Sequence, residues 1–193
     1  DNSLCGGESA SDVIGLQKID DMIHDPVNDQ LKRIWQYMYE GVNRANYMVE
    51  NKDKIDFPRK NELYGEVHFL RAFFYFELVK IYGDVPLFTN GRLTAGDSGT
   101  LKRVSKADVY SVIESDLQTA IGALPAKKSL DGRATSFTAH ALLGKVYLYQ
   151  EKFSEAANIL EPLVGLYTLP ADPGSVFLVE GENGPESVFE IQH

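Results

Sequence analysis

The residues with the most chemical character stand on one stretch of this chain, Tyr64 to Tyr82. His68 and Arg71 recur with Tyr64, Tyr75 and Tyr82 at i, i+4, i+7, i+11 and i+18, which is one row along a helix. A guanidinium among aromatic rings must find a carboxylate or a carbonyl, because an unpaired buried charge is very unfavourable. The row is therefore either a structural anchor or a ligand-facing surface. The anchor reading is preferred: Arg71 and His68 tie their helix to a neighbour. Asp84, at the turn that follows, is a candidate partner for Arg71.

Little else suggests catalysis. His24, His68, His140 and His193 have no metal-ligand spacing. There is no G-x-S-x-G, H-E-x-x-H or Walker sequence. The 28 Asp and Glu could supply the paired carboxylates of a glycosidase, but none sits in a recognisable motif. No cofactor, metal or catalytic residue is expected.

The net charge of −9 argues against nucleic acid and anionic membrane surfaces, which need a basic face. The single cysteine, Cys5, allows no internal disulfide. No apolar run approaches the roughly 20 residues of a membrane span. The opening Asp-Asn-Ser-Leu has no basic-then-apolar segment, so any targeting or anchoring element is expected outside this chain.

The row at Tyr64–Tyr82 needs a scaffold, and periodicity supplies one. A first short helix, capped by Ser11, carries Val13, Leu16, Ile19 and Ile23 on one face, and His24-Asp25-Pro26 breaks it. A second is predicted over 27–52, with Leu31, Ile34, Trp35, Met38, Val42, Ala45 and Val49 as its core stripe. Asn43 and Asn46 are poor interior residues by propensity; either they bond a neighbouring backbone or they sit neutrally on the surface.

The central helix is predicted to start from an Asp56 cap with Pro58 in its first turn. Leu63, Val67, Leu70, Phe74, Leu78 and Ile81 form its core face, with Phe69, Phe73 and Phe76 beside them. Glu62, Glu66, Glu77 and Lys80 form a narrow polar stripe. Gly83 and Pro86 stop the helix. Two long helices with a short connection should pack antiparallel.

Residues 90–101 are a Gly-, Thr- and Ser-rich loop. Ser105 with Asp108 resembles a capping box, and Pro125 ends the helix it opens. Thr135 or Ser136 caps the next helix, and Pro162 should kink or shorten the last one. Val176–Val179 and Glu186–His193 read as extended.

Residues 140–164 have the spacing of a tetratricopeptide helix pair. Gly144 and Ala156 are small where the helices touch, and Tyr147 and Leu160 fill the space beside them. The fold class is therefore all-α: tetratricopeptide-like helical hairpins with long irregular loops, in one domain over 1–193.

Several motifs, in order, resemble the SusD/RagB family, the surface nutrient-binding lipoproteins of Bacteroidetes. Trp35-x3-Tyr39-x2-Val42-x2-Ala45-Asn46 is similar to one family helix. Glu66-x2-Phe69-Leu70-Arg71-Ala72-x2-Tyr75-Phe76-x-Leu78-Val79-x2-Tyr82-Gly83-Asp84-Val85-Pro86-Leu87 resembles the family motif nearly residue for residue. Arg103-Val104-Ser105 with Asp116-Leu117, Arg133-Ala134-Thr135 with Ala141–Tyr149, and Glu186-Ser187-Val188-Phe189-Glu190-Ile191 resemble later blocks. The resemblance covers about residues 31–192. Family members carry a lipid-anchored cysteine near their start and continue well past 193. The chain is thus expected to be an N-terminal fragment, with part of the binding site and the lipid anchor outside it.

The resemblance implies non-catalytic binding of an oligosaccharide at the outer-membrane surface and delivery to a SusC-like TonB-dependent transporter. Such binding uses aromatic faces on sugar rings and polar side chains on hydroxyls. Asp12, His24, Asn28 and Trp35, around the start of the second helix, are the glycan-binding candidates; core packing is the competing reading for Trp35. Two alternatives belong to other classes. One is a tetratricopeptide adaptor clamping a carboxylate with Asn43, Arg44 and Arg71. The other is an all-helical glycoside hydrolase.

Overall fold

A computed structural model describes residues 13–97, 99–127 and 130–192. Six α-helices dominate these residues: α1 Ile14–Asp20, α2 Asp29–Glu50, α3 Lys60–Tyr82, α4 Lys106–Ala123, α5 Ser136–Tyr149 and α6 Phe153–Leu160. The only strand pairing among the described residues is a two-residue antiparallel ladder, β1 Val85–Pro86 with β2 Arg103–Val104. Contacts divide the chain into two compact units, Asp1–Glu40 and Gly41–His193.

In the first unit α1 is shorter than its periodicity predicts. Met22 adopts a left-handed φ of 58°, and the Ile23 amide reaches back to the Lys18 carbonyl at 2.9 Å. The chain therefore turns before His24. Asn28 opens α2 by capping: its Oδ1 accepts from the amides of Gln30 and Leu31, at 3.0 and 3.1 Å. Ser11 lies outside the described residues.

In the second unit the C-terminal half of α2 runs antiparallel to α3. The pairs Lys52 with Tyr64, Asn46 with Arg71, and Gly41 with Phe74 show the opposed directions. From there α3 packs on α4, α4 on α5 and α5 on α6, so each helix meets the next in a series of hairpins. Tyr75, Phe76, Leu78, Ile113, Leu117 and Leu143 are fully buried in the resulting core. Between α5 and α6, Gly144 lies directly against Leu160: a Cβ there would come within 2.5 Å of the leucine side chain.

Several local expectations change. The first turn of α3 begins at Lys60, not at an Asp56 cap. Pro58 holds Phe57 out of the helical region; the Phe57 carbonyl then closes a turn on the Lys60 amide at 3.3 Å. Arg59, at the cap position, takes φ 62°. The buried face of α3 is also rotated from the predicted one. Leu70 and Ile81 are 43% and 42% exposed, whereas Tyr64, Arg71, Ala72, Tyr75 and Val79 are buried. Neighbouring helices supply polar partners to the Arg71 row, which lets it turn inward.

At its end α3 stops as expected. Gly83 has φ 67° and its amide bonds the Val79 carbonyl at 3.1 Å. Ser105 caps α4, accepting from the Asp108 amide at 3.2 Å, and Thr135 caps α5 in a reciprocal box with Thr138. α6 gives way at Leu160 to a short 3₁₀ turn holding Pro162. Val176 to Val179 is not extended. The Asp172 carboxylate accepts from the Gly174 amide at 2.9 Å and starts a 3₁₀ turn, Pro173–Phe177. Residues 186–192 form no strand.

Candidate functional site

The row that drew attention in the sequence is a closed polar cluster. Arg71 sits on α3 facing α4, where Asp116 meets it twice: Nε donates to Oδ2 and Nη2 to Oδ1, both at 2.7 Å. His68 Nδ1, one turn earlier, lies 2.7 Å from the same Oδ1. Toward α2, Arg71 Nη1 donates to Asn46 Oδ1 at 2.8 Å and to the Thr89 carbonyl at 3.3 Å. Burial pushes the Asp116 carboxyl up, but the Arg71 and His68 hydrogen bonds outweigh it and hold it below the usual carboxylate range.

Asp84 is not the partner of Arg71. Its carboxylate accepts from the Lys106 amide at 2.8 Å and so caps α4 from across the turn. The geometric reason is direction: Arg71 lies three turns before the helix end and points at the middle of α4.

The cluster also suspends the chain that follows α3. The Phe88 carbonyl accepts from Asn46 Nδ2 at 3.0 Å and from the Tyr75 hydroxyl at 2.7 Å. The Phe88 amide donates to the same hydroxyl at 3.0 Å, and the Leu93 amide donates to Asn43 Oδ1 at 2.8 Å. Asn43 and Asn46 thus bond a neighbouring backbone, the first of the two alternatives. Burial pushes the Tyr75 phenol up to about 12. The donors and acceptors of Arg71, Asp116, Asn46 and Tyr75 face one another across α2, α3, α4 and the Phe88–Thr89 backbone.

Three of the four glycan-binding candidates, His24, Asn28 and Trp35, fall in the first unit. Asp12 lies outside the described residues. His24 is exposed. Asn28 is 6% exposed, and besides capping α2 it donates Nδ2 to the Gly15 carbonyl at 2.8 Å. Trp35 is half-buried, its ring centroid 4.8 Å from that of Tyr39 at 52°.

A second place in the structure escaped the sequence reading. The face of α3 carrying Phe69, Leu70, Phe73 and Phe74 forms the floor of an open groove of about 470 Å³. The far wall is the tail of the chain: Phe189 meets Phe69 edge-on, centroids 5.8 Å apart, and Ile191 and Gln192 follow. Gly132 closes the end in a left-handed conformation, φ 75°, close enough to the tail that a Cβ would lie 2.8 Å from Gln192 Cγ.

The groove continues into a smaller opening of about 130 Å³ beside Glu66 and Arg133. These two form an ion pair between Arg133 Nη2 and Glu66 Oε2. The other oxygen, Oε1, is buried without a hydrogen-bond partner, the one such side-chain atom among the described residues. Burial pushes the Glu66 carboxyl up more than Arg133 pulls it down. The signal was present in the sequence as the second apolar row, Phe69, Phe73 and Phe76, beside the core face of α3, but the wall comes from residues over a hundred positions away.

Among the described residues no cluster of His, Cys, Asp and Glu could hold a metal ion, and no helix is long and apolar enough to cross a membrane.

An all-α array of hairpins with an extended excursion after the central helix is the architecture of a SusD-like protein. The family model for SusD-like proteins, described as starch-binding and associating with the outer membrane, matches residues 8–148, and the chain belongs to that family. SusD-like protein P38 of Formosa agariphila is 29% identical over 171 residues, 82% of this chain and 34% of its own length. A solved laminarin-binding SusD-like protein shares 32% identity with a TM-score of 0.86, over 95% of this chain and 42% of that one. A SusD superfamily protein from Bacteroides vulgatus also shares 32% identity, with a TM-score of 0.82, over 94% of this chain and 40% of that one. The chain thus spans about a third of the curated relative's length.

Proposed function

We propose that this chain is the N-terminal part of a cell-surface lipoprotein that binds oligosaccharide without transforming it and delivers it to a SusC-like TonB-dependent outer-membrane transporter. The observation that carries the reading is the likeness, at 32% identity over 95% of the chain, to a protein that binds laminarin. In this reading Trp35, tilted against Tyr39, is the aromatic platform near the start of α2, with Asp12, His24 and Asn28 as its polar surroundings. Arg71, His68 and Asp84 hold the scaffold. The adaptor and hydrolase alternatives have no comparable support.

The test uses the full-length protein. Isothermal titration against a glycan panel that includes laminarin should show binding, and Trp35→Ala should weaken it with the fold intact. No reducing ends should appear on prolonged incubation. Co-purification from outer membranes should bring down a transporter. A full-length protein that binds no glycan in the panel, or that releases reducing ends, would sink the proposal; a consistently solitary protein would remove the delivery step.

A further inference from the structure

The sequence holds two Asn-Gly pairs, Asn90-Gly91 and Asn183-Gly184, and the fold treats them differently. An asparagine side chain ahead of a glycine is open to attack by the next backbone nitrogen, because no Cβ shields that nitrogen. We infer that Asn90 is a site of spontaneous deamidation, in the excursion after α3, and that Asn183 is protected. The Gly91 nitrogen attacks Asn90 Cγ. A C–N bond forms, the Cγ–Nδ2 bond breaks, and Nδ2 leaves as ammonia with the proton that Gly91 gives up. Water then opens the five-membered imide at either carbonyl, leaving aspartate or isoaspartate. Water is the one co-reactant, and the net change is an amide exchanged for a carboxylate and ammonia.

Asn90 is exposed. Among the described residues, neither its side chain nor the Gly91 amide has a hydrogen-bond partner. Gly91 is left-handed at φ 73°, and the nearest atom that a Cβ there would meet is Glu50 Oε2, at 3.7 Å, so neighbouring elements leave this stretch room. The pair also lies between fixed points: Arg71 holds the Thr89 carbonyl at 3.3 Å and Asn43 holds the Leu93 amide at 2.8 Å. Asn183 is the contrast. Its Nδ2 donates to Gln192 Oε1 at 3.2 Å, and its amide donates to the Glu190 carboxylate at 2.9 and 3.0 Å. The nitrogen that would attack, that of Gly184, donates to the Gly181 carbonyl at 3.1 Å. Bringing nucleophile and target together there means breaking such bonds first. At Asn90 the isoaspartate product routes the main chain through the side-chain carbon and lengthens it between Thr89 and Gly91. The added length falls between the two anchors, and it loosens the Leu93–Asn43 bond.

The test uses the full-length protein, aged in warm, mildly alkaline buffer and mapped as peptides by mass spectrometry. Asn90 should convert about tenfold faster than Asn183, the factor by which one hydrogen bond that must open first slows a reaction. Hydroxylamine, which cleaves the imide, should cut the native chain between Asn90 and Gly91. Asn90→Gln should remove that cut and leave the urea midpoint unchanged, since the residue is exposed. Equal rates at the two pairs would overturn the inference. So would an Asn90 that stays intact in the native protein over the time in which it converts in urea, because the excursion would then be protecting it. In converted protein the Leu93 amide should exchange with solvent deuterium faster than in fresh protein; unchanged exchange would overturn the loosening.

Discussion

Arg71 and Asp116 meet through two parallel hydrogen bonds of 2.7 Å, across the interface between α3 and α4. Both side chains are almost wholly buried, at 7% and 5% exposure. Such a pair is unforgiving of partial removal, because the remaining charge is stranded in a medium of low polarity. Arg71→Met or Asp116→Leu alone should cost about 3–5 kcal/mol in urea unfolding. The double variant should cost less than the sum of the two. Arg71→Lys should not rescue, since a lysine cannot form the two-pronged contact. Additive losses would show that the pair is not coupled.

Asp84 gives a contrast. It caps α4 through the Lys106 amide, so Asp84→Ala should cost about 1 kcal/mol, in the range of a lost helix cap. In a double-mutant cycle with Arg71→Met the two effects should add to within about 0.5 kcal/mol. A coupling well above that would tie Asp84 to Arg71 after all.

Two carboxyls should shape the acid limb of stability in opposite senses. Asp116 is held below its unfolded value of about 3.9. Its contribution is complete above that pH and is lost as pH falls through the lower folded value. Glu66 is held above its unfolded value of about 4.3. Its contribution is complete below that pH and is lost as pH rises through the higher folded value. Urea midpoints measured across the acid range should therefore lose part of their acid-side fall in Asp116→Asn. In Glu66→Gln they should lose part of a decline with rising pH in the weakly acid range. Unchanged profiles would contradict both assignments.

Gly144 should tolerate no branched side chain. A Cβ at this position would stand 2.5 Å from Leu160 Cγ and Cδ2, so Gly144→Val should destabilise by about 1–3 kcal/mol through overpacking. Trimming the partner should relieve it: Gly144→Ala in a Leu160→Ala background should be neutral or stabilising, because alanine is the better helix former by about 1 kcal/mol. A Gly144→Val protein as stable as the wild type would show that α6 yields freely.

The hairpin array was legible in the sequence because periodicity, caps and helix stops are local. Ser105, Thr135, Gly83 and Gly144 each stand where a short-range rule places them. What was hidden depended on residues far apart. The inward rotation of the Arg71 row needed Asn46 and Asp116, 25 and 45 positions away. Nothing in the α3 pattern distinguishes a glutamate with a buried, unpaired oxygen from one in solvent; only the arrival of Arg133 and Phe189 does. Asp56 failed as a cap because Pro58 and a left-handed Arg59 redirect the chain, a choice propensity alone does not reveal.

The segment from Phe88 to Leu93 is gripped by Asn43, Asn46, Arg71 and Tyr75, and each of these bonds falls on a backbone amide or carbonyl of that segment. A holder that reads only the main chain is indifferent to the side chains it carries. The path of this excursion is therefore set largely through its main chain, and composition enters at two places: Gly91, left-handed at φ 73°, and Arg92, whose guanidinium lies 4.2 Å over the Tyr47 ring. Away from those points, residues can change and still be displayed along the same line.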